Sequence, residues 1–365
     1  MNGEARVLIA GGGTGGHLMP ALALARELTR GPKPARVFLV GSPRGPDREI
    51  LSASGFSYRL LSAPAVERRR WWRNAALPAT LPRALAAARR VVREFGPHVV
   101  VGTGGYASVP VGMAAGLGRV PLLLQEQNRT PGLATRLLAR WAARICVQFP
   151  ETVEALAGRS TVEVTGSPID SPAPEPADFA GRLDPGRPTV GVFGGSQGAR
   201  AINDLVLEHF GTDPQSVPNV VWQTGRADLE RVRAAAARWP ERAVIRAFFT
   251  PMAAVYPLLD AIVCRAGAMT LAEITAWGIP SILIPYPYAT DDHQTANARA
   301  MEGAGAAFLL LEAEATSRRL GNLFEGLLSD APRRREMAAD ARRLGRPDAA
   351  RRVADRVLEL AGVPA

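Results

Sequence analysis

The chain has 365 residues, which suits two ordinary domains better than one core. It is 47% hydrophobic and 21% charged, a globular composition that excludes a disordered chain. The formal net charge is +10, with Lys33 the one lysine among 44 basic residues; arginine-rich composition and attraction to an anionic partner explain this equally well, so bulk charge selects no partner.

Cys146 and Cys264 lie far apart, with no CxxC and no Cys/His cluster. That pattern excludes a disulfide scaffold and a zinc site and suits a reducing compartment. The stretch before the first glycine run is too short for a signal peptide, and no apolar run approaches the ~20 residues of a membrane span. The expectation is a soluble or peripheral protein.

In chain order, Arg6–Ala10 reads as a short strand, followed by a glycine loop and an Ala/Leu-rich helix from about Pro20 to Thr29. Strands follow at Arg36–Val40, Val99–Val101 and Leu122–Leu124. Such alternation implies a parallel sheet covered by helices. The run Gly166-Ser-Pro-Ile-Asp-Ser-Pro-Ala-Pro-Glu-Pro176 breaks helix and strand alike and reads as a linker. The grammar then restarts: strand Thr189–Phe193, glycine loop Gly194–Gly198, helix Ala199–Phe210, and strands at Val220–Gln223, Val244–Ala247, Ala261–Cys264 and Ser281–Ile284. The tail from about Ala331 to Leu360 reads as helical and arginine-rich, placed to return to the first domain. The fold class is therefore α/β, two Rossmann-like domains with parallel sheets facing across a cleft. The first takes residues 1–163 plus about 345–365, and the second takes 164–344.

Gly11-Gly-Gly13-Thr-Gly-Gly16 matches GxGxxG, a loop that lets a ligand approach the backbone and the helix start behind it. A dinucleotide reading requires an acidic residue ~20 positions on, at the end of the second strand. Phe38-Leu-Val-Gly41-Ser42 has none, which disfavours NAD. Gly194-Gly-Ser-Gln-Gly198 lacks the lysine of a Walker loop, and Lys33 cannot supply one. Glycines and a serine at a helix start suit a pyrophosphate, or form a plain tight turn. Two further glycine turns, Gly102-Thr-Gly-Gly105-Tyr106 and Cys264-Arg-Ala-Gly267, also follow strands. Four such turns on one cleft would hold a phosphate-bearing ligand.

Gly12-Gly-Thr-Gly-Gly-His17, Gly104-Gly-Tyr106, Glu126-Gln-Asn128, Gly194-Gly-Ser-Gln-Gly-Ala-Arg200, Cys264-Arg-Ala-Gly-Ala-Met-Thr-Leu-Ala-Glu273 and Asp292-His-Gln-Thr-Ala-Asn297 together resemble the diagnostic segments of the MurG family, in order over nearly the whole chain. That family moves N-acetylglucosamine from UDP-GlcNAc to undecaprenyl-pyrophosphoryl-MurNAc-pentapeptide. The resemblance implies a donor site mostly on the second domain. Glu273 would accept from the ribose hydroxyls, while Ala268, Met269, Thr270 and Leu271 with Phe249 would hold the uracil side. Ser196 would hold the pyrophosphate, and Gln294 beside His293 the sugar. Thr14, Gly15, Gly16 and Asn128 would reach the donor from the first domain. Many family members read Gly-Asn-Pro-Val-Arg where this chain has Gly166-Ser-Pro-Ile-Asp170, so a basic donor contact is replaced by an acid; either another arginine substitutes, with Arg200 and Arg265 the candidates, or donor affinity is lower.

The resemblance also implies an inverting displacement that needs a base and positive potential for departing UDP. His17, at the mouth of the first loop, is the candidate general base, or it caps the loop or binds the acceptor pyrophosphate. His98 and His209 read as structural. No Asp-x-Asp stands where a nucleotide-sugar metal site needs one, and Asp291-Asp292 reads as a polar loop, so neither metal nor cofactor is expected. Glu67-Arg-Arg-Arg-Trp-Trp72-Arg73, with Leu77, Leu81 and Leu85, reads as a docking face for an anionic membrane through Trp71 and Trp72, or as a core helix with a solvated arginine face. The expected location is the cytoplasmic face of the membrane, peripherally. No nucleic-acid reader motif is present. The alternatives are another enzyme of the same two-domain fold, such as a glycolipid glycosyltransferase or a UDP-GlcNAc epimerase.

Overall fold

Runs such as Val7-Leu-Ile-Ala10 are apolar at every position because both faces of the strand are covered, the usual state of a parallel sheet roofed by helices. The computed structural model describes residues 4–31, 33–63, 77–158, 160–170, 177–195, 198–212, 217–289 and 292–363. The chain divides into an N-terminal unit, Met1–Ile169 with Asp348–Ala365, and a C-terminal unit, Asp170–Pro347.

The N-terminal unit runs β1 (Arg6–Gly12), α1 (Gly15–Arg30), β2 (Arg36–Gly41), α2 (Asp47–Ala53), β3 (Ser57–Leu60), α3 (Leu77–Phe95), β4 (Val99–Gly105), α4 (Ser108–Leu117), β5 (Leu122–Glu126), α5 (Leu133–Leu138), β6 (Arg144–Val147), α6 (Glu151–Ala155) and β7 (Thr161–Val164). Its parallel sheet has the order β3-β2-β1-β4-β5-β6-β7. The period-2 alternation sends Leu8, Ala10 and Val100 to one core with α3 and α4, and Val7, Ile9 and Val99 to another with α1. Strand order reverses between β1 and β4, the place where open α/β sheets bind ligands.

The C-terminal unit runs β8 (Thr189–Phe193), α7 (Arg200–Thr212), β9 (Asn219–Gln223), α8 (Leu229–Ala236), β10 (Ala243–Arg246), β11 (Ala261–Cys264), α9 (Ala268–Trp277), β12 (Ser281–Leu283), α10 (His293–Gly303), β13 (Ala307–Leu309), α11 (Ser317–Leu328) and α12 (Ala331–Leu344). Its parallel sheet, β10-β9-β8-β11-β12-β13, reverses between β8 and β11.

The last helix, α13 (Ala349–Leu360), belongs to the N-terminal unit. Val353, Ala354 and Val357 join the core under α1, and Arg356 grips Glu163 through Nε at 2.8 Å and Nη2 at 3.0 Å. The tail is thus two helices, parted at Gly345 and Pro347, because proline cannot continue a helix interior.

Several elements depart from their reading in the sequence. Helix α1 begins at Gly15, with Pro20 inside it instead of at its start. Strands β3, β6, β7 and β13 carry no strong apolar run; they are short or lie toward the sheet edges, and parallel pairing with the neighbouring strand makes them strands. In α3, Ala84, Ala88, Val91 and Val92 face the core with Leu85 packed against it, while Arg89, Arg90 and Arg93 are exposed. For residues 80–95 the reading of a core helix with a solvated arginine face is therefore the one observed, and Leu85 is not part of a lipid-facing surface. Trp71 and Trp72 lie outside the described residues, as do residues 171–176 of the expected linker.

Candidate active site

In the N-terminal unit the register pairs Gly11 with Gly104 and Gly12 with Gly105, so the first two glycine turns of the sequence lie side by side at one sheet edge. Gly12, at φ +143°, permits a path that a side chain would block, because a Cβ there would collide with Asp47 Oδ2. Asp47 is buried, and its Oδ2 accepts from the N–H groups of Gly13 and Ser42, each at 2.8 Å. Burial pushes this carboxyl above its ordinary range, while the two backbone donors pull it back. One buried acid therefore ties the β1 loop to the β2 loop.

At the end of β5, Glu126 does similar work. Its Oε1 accepts from the N–H of Asn128 at 2.9 Å and from Asn128 Nδ2 at 3.0 Å. Its Oε2 accepts from the N–H of Gly132 at 2.9 Å and the hydroxyl of Thr135 at 2.5 Å. The Asn128 amide is thereby oriented, leaving Oδ1 as the atom able to accept from a ligand.

His17 lies in the first turns of α1, half-buried, with Nδ1 2.9 Å from Thr14 Oγ1. Its backbone carbonyl accepts from Thr103 Oγ1 at 2.7 Å, which ties α1 to β4. The ring lies against Gly104, where a Cβ would stand 2.5 Å from Cδ2 and 3.0 Å from Nε2. Burial lowers the imidazole pKa, and the nearby charge of Glu126 partly restores it. The shift favours the neutral ring, which is oriented through Nδ1; a proton on Nδ1, donated to Thr14 Oγ1, would leave Nε2 as the basic atom. Thr14 and Gly16 are exposed beside it, Gly15 is buried, and no side chain caps α1 at Thr14.

In the C-terminal unit, β8 and β11 end together, with Phe193 paired to Cys264, so the third and fourth glycine turns also share an edge. Carboxamides hold these loops. Gln223 donates from Nε2 to the Gly195 carbonyl at 3.2 Å and accepts the Phe249 N–H at Oε1 at 3.1 Å. Asn297 donates to the Ala266 carbonyl at 3.1 Å. Gly198, at φ +79°, packs so closely on Thr224 that a side chain would strike its carbonyl. Ser196 lies outside the described residues.

Glu273 is half-buried on α9, and Tyr256 donates its hydroxyl to Glu273 Oε2 at 2.7 Å. Burial, opposed by that hydrogen bond and aided by the charge of Asp170, pushes the carboxyl up to about 7. Ala268, Met269, Thr270 and Leu271 form the first turn of α9, which no side chain caps at Gly267. Phe249 has its ring buried against Phe179 and Phe193, so only its backbone can meet a ligand. Gln294 accepts the Tyr286 N–H at Oε1 at 2.9 Å, leaving Nε2 as the donor for a hydroxyl.

Arg265 is engaged within the protein. Its Nη1 donates to the Ile284 and Pro285 carbonyls at 3.1 and 3.0 Å, and Nη2 lies 2.6 Å from Glu312 Oε2. Its charge is thereby balanced and its fork anchors the loop after β12. Arg200, by contrast, has a 76% exposed side chain, and its ion-pair contact with Asp204 is long at 3.8 Å. His98 accepts the Arg6 N–H, His209 stacks on Phe324, and Asp292 accepts the Thr295 hydroxyl. The residues that sequence reasoning missed are Asp47, Tyr256, Gln223 and Glu312. None belongs to a spacing pattern, and Asp47 and Tyr256 acquire partners only through strand order. Among the described residues no three His, Cys, Asp or Glu side chains are grouped to share a metal ion.

A model of the glycosyltransferase family 28 N-terminal domain matches residues 7–147, and one of the family 28 C-terminal domain matches residues 189–353. The two units are thus the two halves of a family 28 glycosyltransferase. The UDP-N-acetylglucosamine–N-acetylmuramyl-(pentapeptide) pyrophosphoryl-undecaprenol N-acetylglucosamine transferase of Syntrophotalea carbinolica is 41% identical over 95% of this chain and 97% of its own length. The crystal structure of Acinetobacter baumannii MurG superposes with a TM-score of 0.72 at 29% identity, covering 98% of this chain and 100% of that one. The chain belongs to the MurG family. A putative UDP-N-acetylglucosamine 2-epimerase from Listeria monocytogenes shares the fold alone, with a TM-score of 0.70 at 15% identity over 98% of this chain and 96% of its own. Fold therefore does not separate transferase from epimerase; sequence does.

Proposed function

We infer that this chain transfers N-acetylglucosamine from UDP-GlcNAc to the 4-hydroxyl of MurNAc in undecaprenyl-pyrophosphoryl-MurNAc-pentapeptide, a step of peptidoglycan synthesis. The observation that carries this is the 41% identity maintained along 95% of the chain, through both halves. The C-terminal unit is read as the donor domain. Glu273 accepts from the ribose diol, while the first turn of α9 and the Phe249 backbone meet the uracil. The Gly194–Gly198 loop with Ser196 meets the pyrophosphate, and Gln294 meets the sugar. Arg200 supplies the cation that Asp170 does not, whereas Arg265 shapes the site from behind. Thr14, Gly15, Gly16 and Asn128 keep the donor role implied for them.

The N-terminal unit is read as the acceptor domain. The acceptor oxygen attacks the anomeric carbon as the bond to UDP breaks, which inverts that centre. Its proton passes to His17 Nε2, with Nδ1 held by Thr14 and the forming imidazolium favoured by the charge of Glu126. Backbone N–H groups and arginine meet the charge on departing UDP, so no metal is required. Among the described residues no helix is long and apolar enough to cross a membrane. Trp71, Trp72 and the adjoining arginines are read as the contact with an anionic cytoplasmic membrane face.

The test is incubation with labelled UDP-GlcNAc and a short-chain lipid-linked acceptor, with and without chelator. Label should move to the lipid in β linkage in both arms. Conversion of the free nucleotide sugar without transfer would replace this reading with the epimerase one, and loss of transfer with chelator would overturn the metal-free mechanism.

A further inference from the structure

The donor reading leaves Tyr256 without a role, although its hydroxyl hydrogen-bonds the carboxylate assigned to the ribose. Tyr256 is 4% exposed and lies between β10 and β11, in the short turn that ends at Leu258. Its ring is fixed by Phe193, edge-on at 6.4 Å, and by Trp277 at 6.3 Å. Phe193 ends β8, whose glycine turn follows directly, and Trp277 ends α9, the helix that carries Glu273. The hydroxyl thus has little freedom, and it meets Glu273 Oε2 at 2.7 Å.

A glutamate side chain has three rotatable bonds, and each one held before the ligand arrives lowers the ordering cost of binding. A ribose diol presents two donors to one carboxylate. Recognition therefore depends on the carboxylate being ionised and turned so that Oε1 and a remaining lone pair of Oε2 face outward. One rigid hydrogen bond to Oε2 supplies both conditions, because a phenol donates to the ionised form and fixes the plane.

We propose that Tyr256 is a positioning residue for nucleoside recognition: its buried hydroxyl orients the Glu273 carboxylate toward the ribose diol of the donor. The proposal rests on the ribose assignment of Glu273. The other titratable groups whose charge reaches Glu273 or Tyr256 are Asp170, which disfavours ionisation of Glu273, and Cys264, a buried thiol pushed well above its ordinary range.

The experiment compares the full chain with Tyr256→Phe and Glu273→Gln, measuring donor KM and kcat against pH with UDP-GlcNAc and with its 2′-deoxyuridine analogue. Thermal unfolding confirms that each variant is folded. For the parent, donor KM should rise as pH falls through about 7, because the ionised carboxylate is the form that accepts both hydroxyls. Glu273→Gln should raise KM ~10-fold or more at high pH and remove the inflection. Tyr256→Phe should raise KM ~3- to 10-fold with kcat at saturating donor within ~2-fold, move the inflection to higher pH, and shrink the penalty for the deoxy analogue. If Glu273→Gln has these effects while Tyr256→Phe shifts neither KM nor the inflection, the positioning role is overturned and the ribose assignment stands. If Glu273→Gln leaves KM and its pH profile unaltered, the ribose assignment itself fails, and the role of Tyr256 with it.

Discussion

The two units present the same arrangement of glycine turns at the reversal of a parallel sheet, yet they hold those turns with different chemistry. In the N-terminal unit buried carboxylates accept from backbone N–H groups: Asp47 from Gly13 and Ser42, Glu126 from Asn128 and Gly132. In the C-terminal unit neutral carboxamides hold the turns mainly by donating: Gln223 donates to the Gly195 carbonyl and accepts the Phe249 N–H, and Asn297 donates to the Ala266 carbonyl. A carboxylate uses loop donors and leaves negative charge behind the turn. A carboxamide that donates to a carbonyl leaves loop N–H groups available and adds no charge, so a dianionic pyrophosphate meets less repulsion there. The acid assigned to substrate in the C-terminal unit, Glu273, is given to hydroxyls and not to phosphate. The same backbone device is thereby held by acidic residues in one unit and by neutral ones in the other.

The largest test of this contrast is stability. Glu126→Ala removes the acceptor of four hydrogen bonds and strands two backbone N–H groups, and should cost about 3–4 kcal/mol. Gln223→Ala strands one N–H and one carbonyl and should cost about 1–2 kcal/mol. Equilibrium urea unfolding measures both; equal losses would break the distinction.

Next is catalysis. His17→Ala should lower kcat ~10²-fold with little change in donor KM. Because burial lowers the His17 pKa, the acid limb of kcat in the parent should lie below the ordinary imidazole value of about 6.5. Glu126→Gln removes the charge that partly restores that pKa, so the limb should move to still lower pH, whereas Gln223→Ala should leave it in place. A limb that follows Gln223 and not Glu126 would sink the electrostatic half of the comparison.

The smallest effect is the pH dependence of stability at Asp47. Its folded pKa is raised, so folding favours the protonated carboxyl. The associated stability is full below the unfolded pKa of about 3.9 and is lost as pH rises through the folded value. Asp47→Asn lacks this loss. Its unfolding free energy relative to the parent should therefore improve between acid and neutral pH. Asn297→Ala, on a carboxamide clamp, should show a constant difference over the same range.

Much of this molecule was legible in one dimension. Apolar runs marked the inner strands β1, β2, β4, β5, β8, β9, β11 and β12, because a strand covered on both faces must be largely apolar. The motif residues His17, Asn128, Glu273 and Gln294 each stand at or just beyond the carboxyl edge of their sheet, where a loop-to-helix start places them. What the sequence could not state was partnership. Asp47 lies 34 residues from Gly13, Tyr256 lies 17 from Glu273, and no periodicity links either pair. Strand order brings them together, and burial then makes each hydrogen bond matter. Likewise Arg265, one of two candidates for the missing basic donor contact, pairs with Glu312 across a loop, and Phe249 turns its ring into the core. Chain-local properties such as apolarity and turn chemistry act over a few residues and are written in order along the sequence. The protonation, orientation and availability of a side chain depend on what the fold packs around it, and only the tertiary structure decides that.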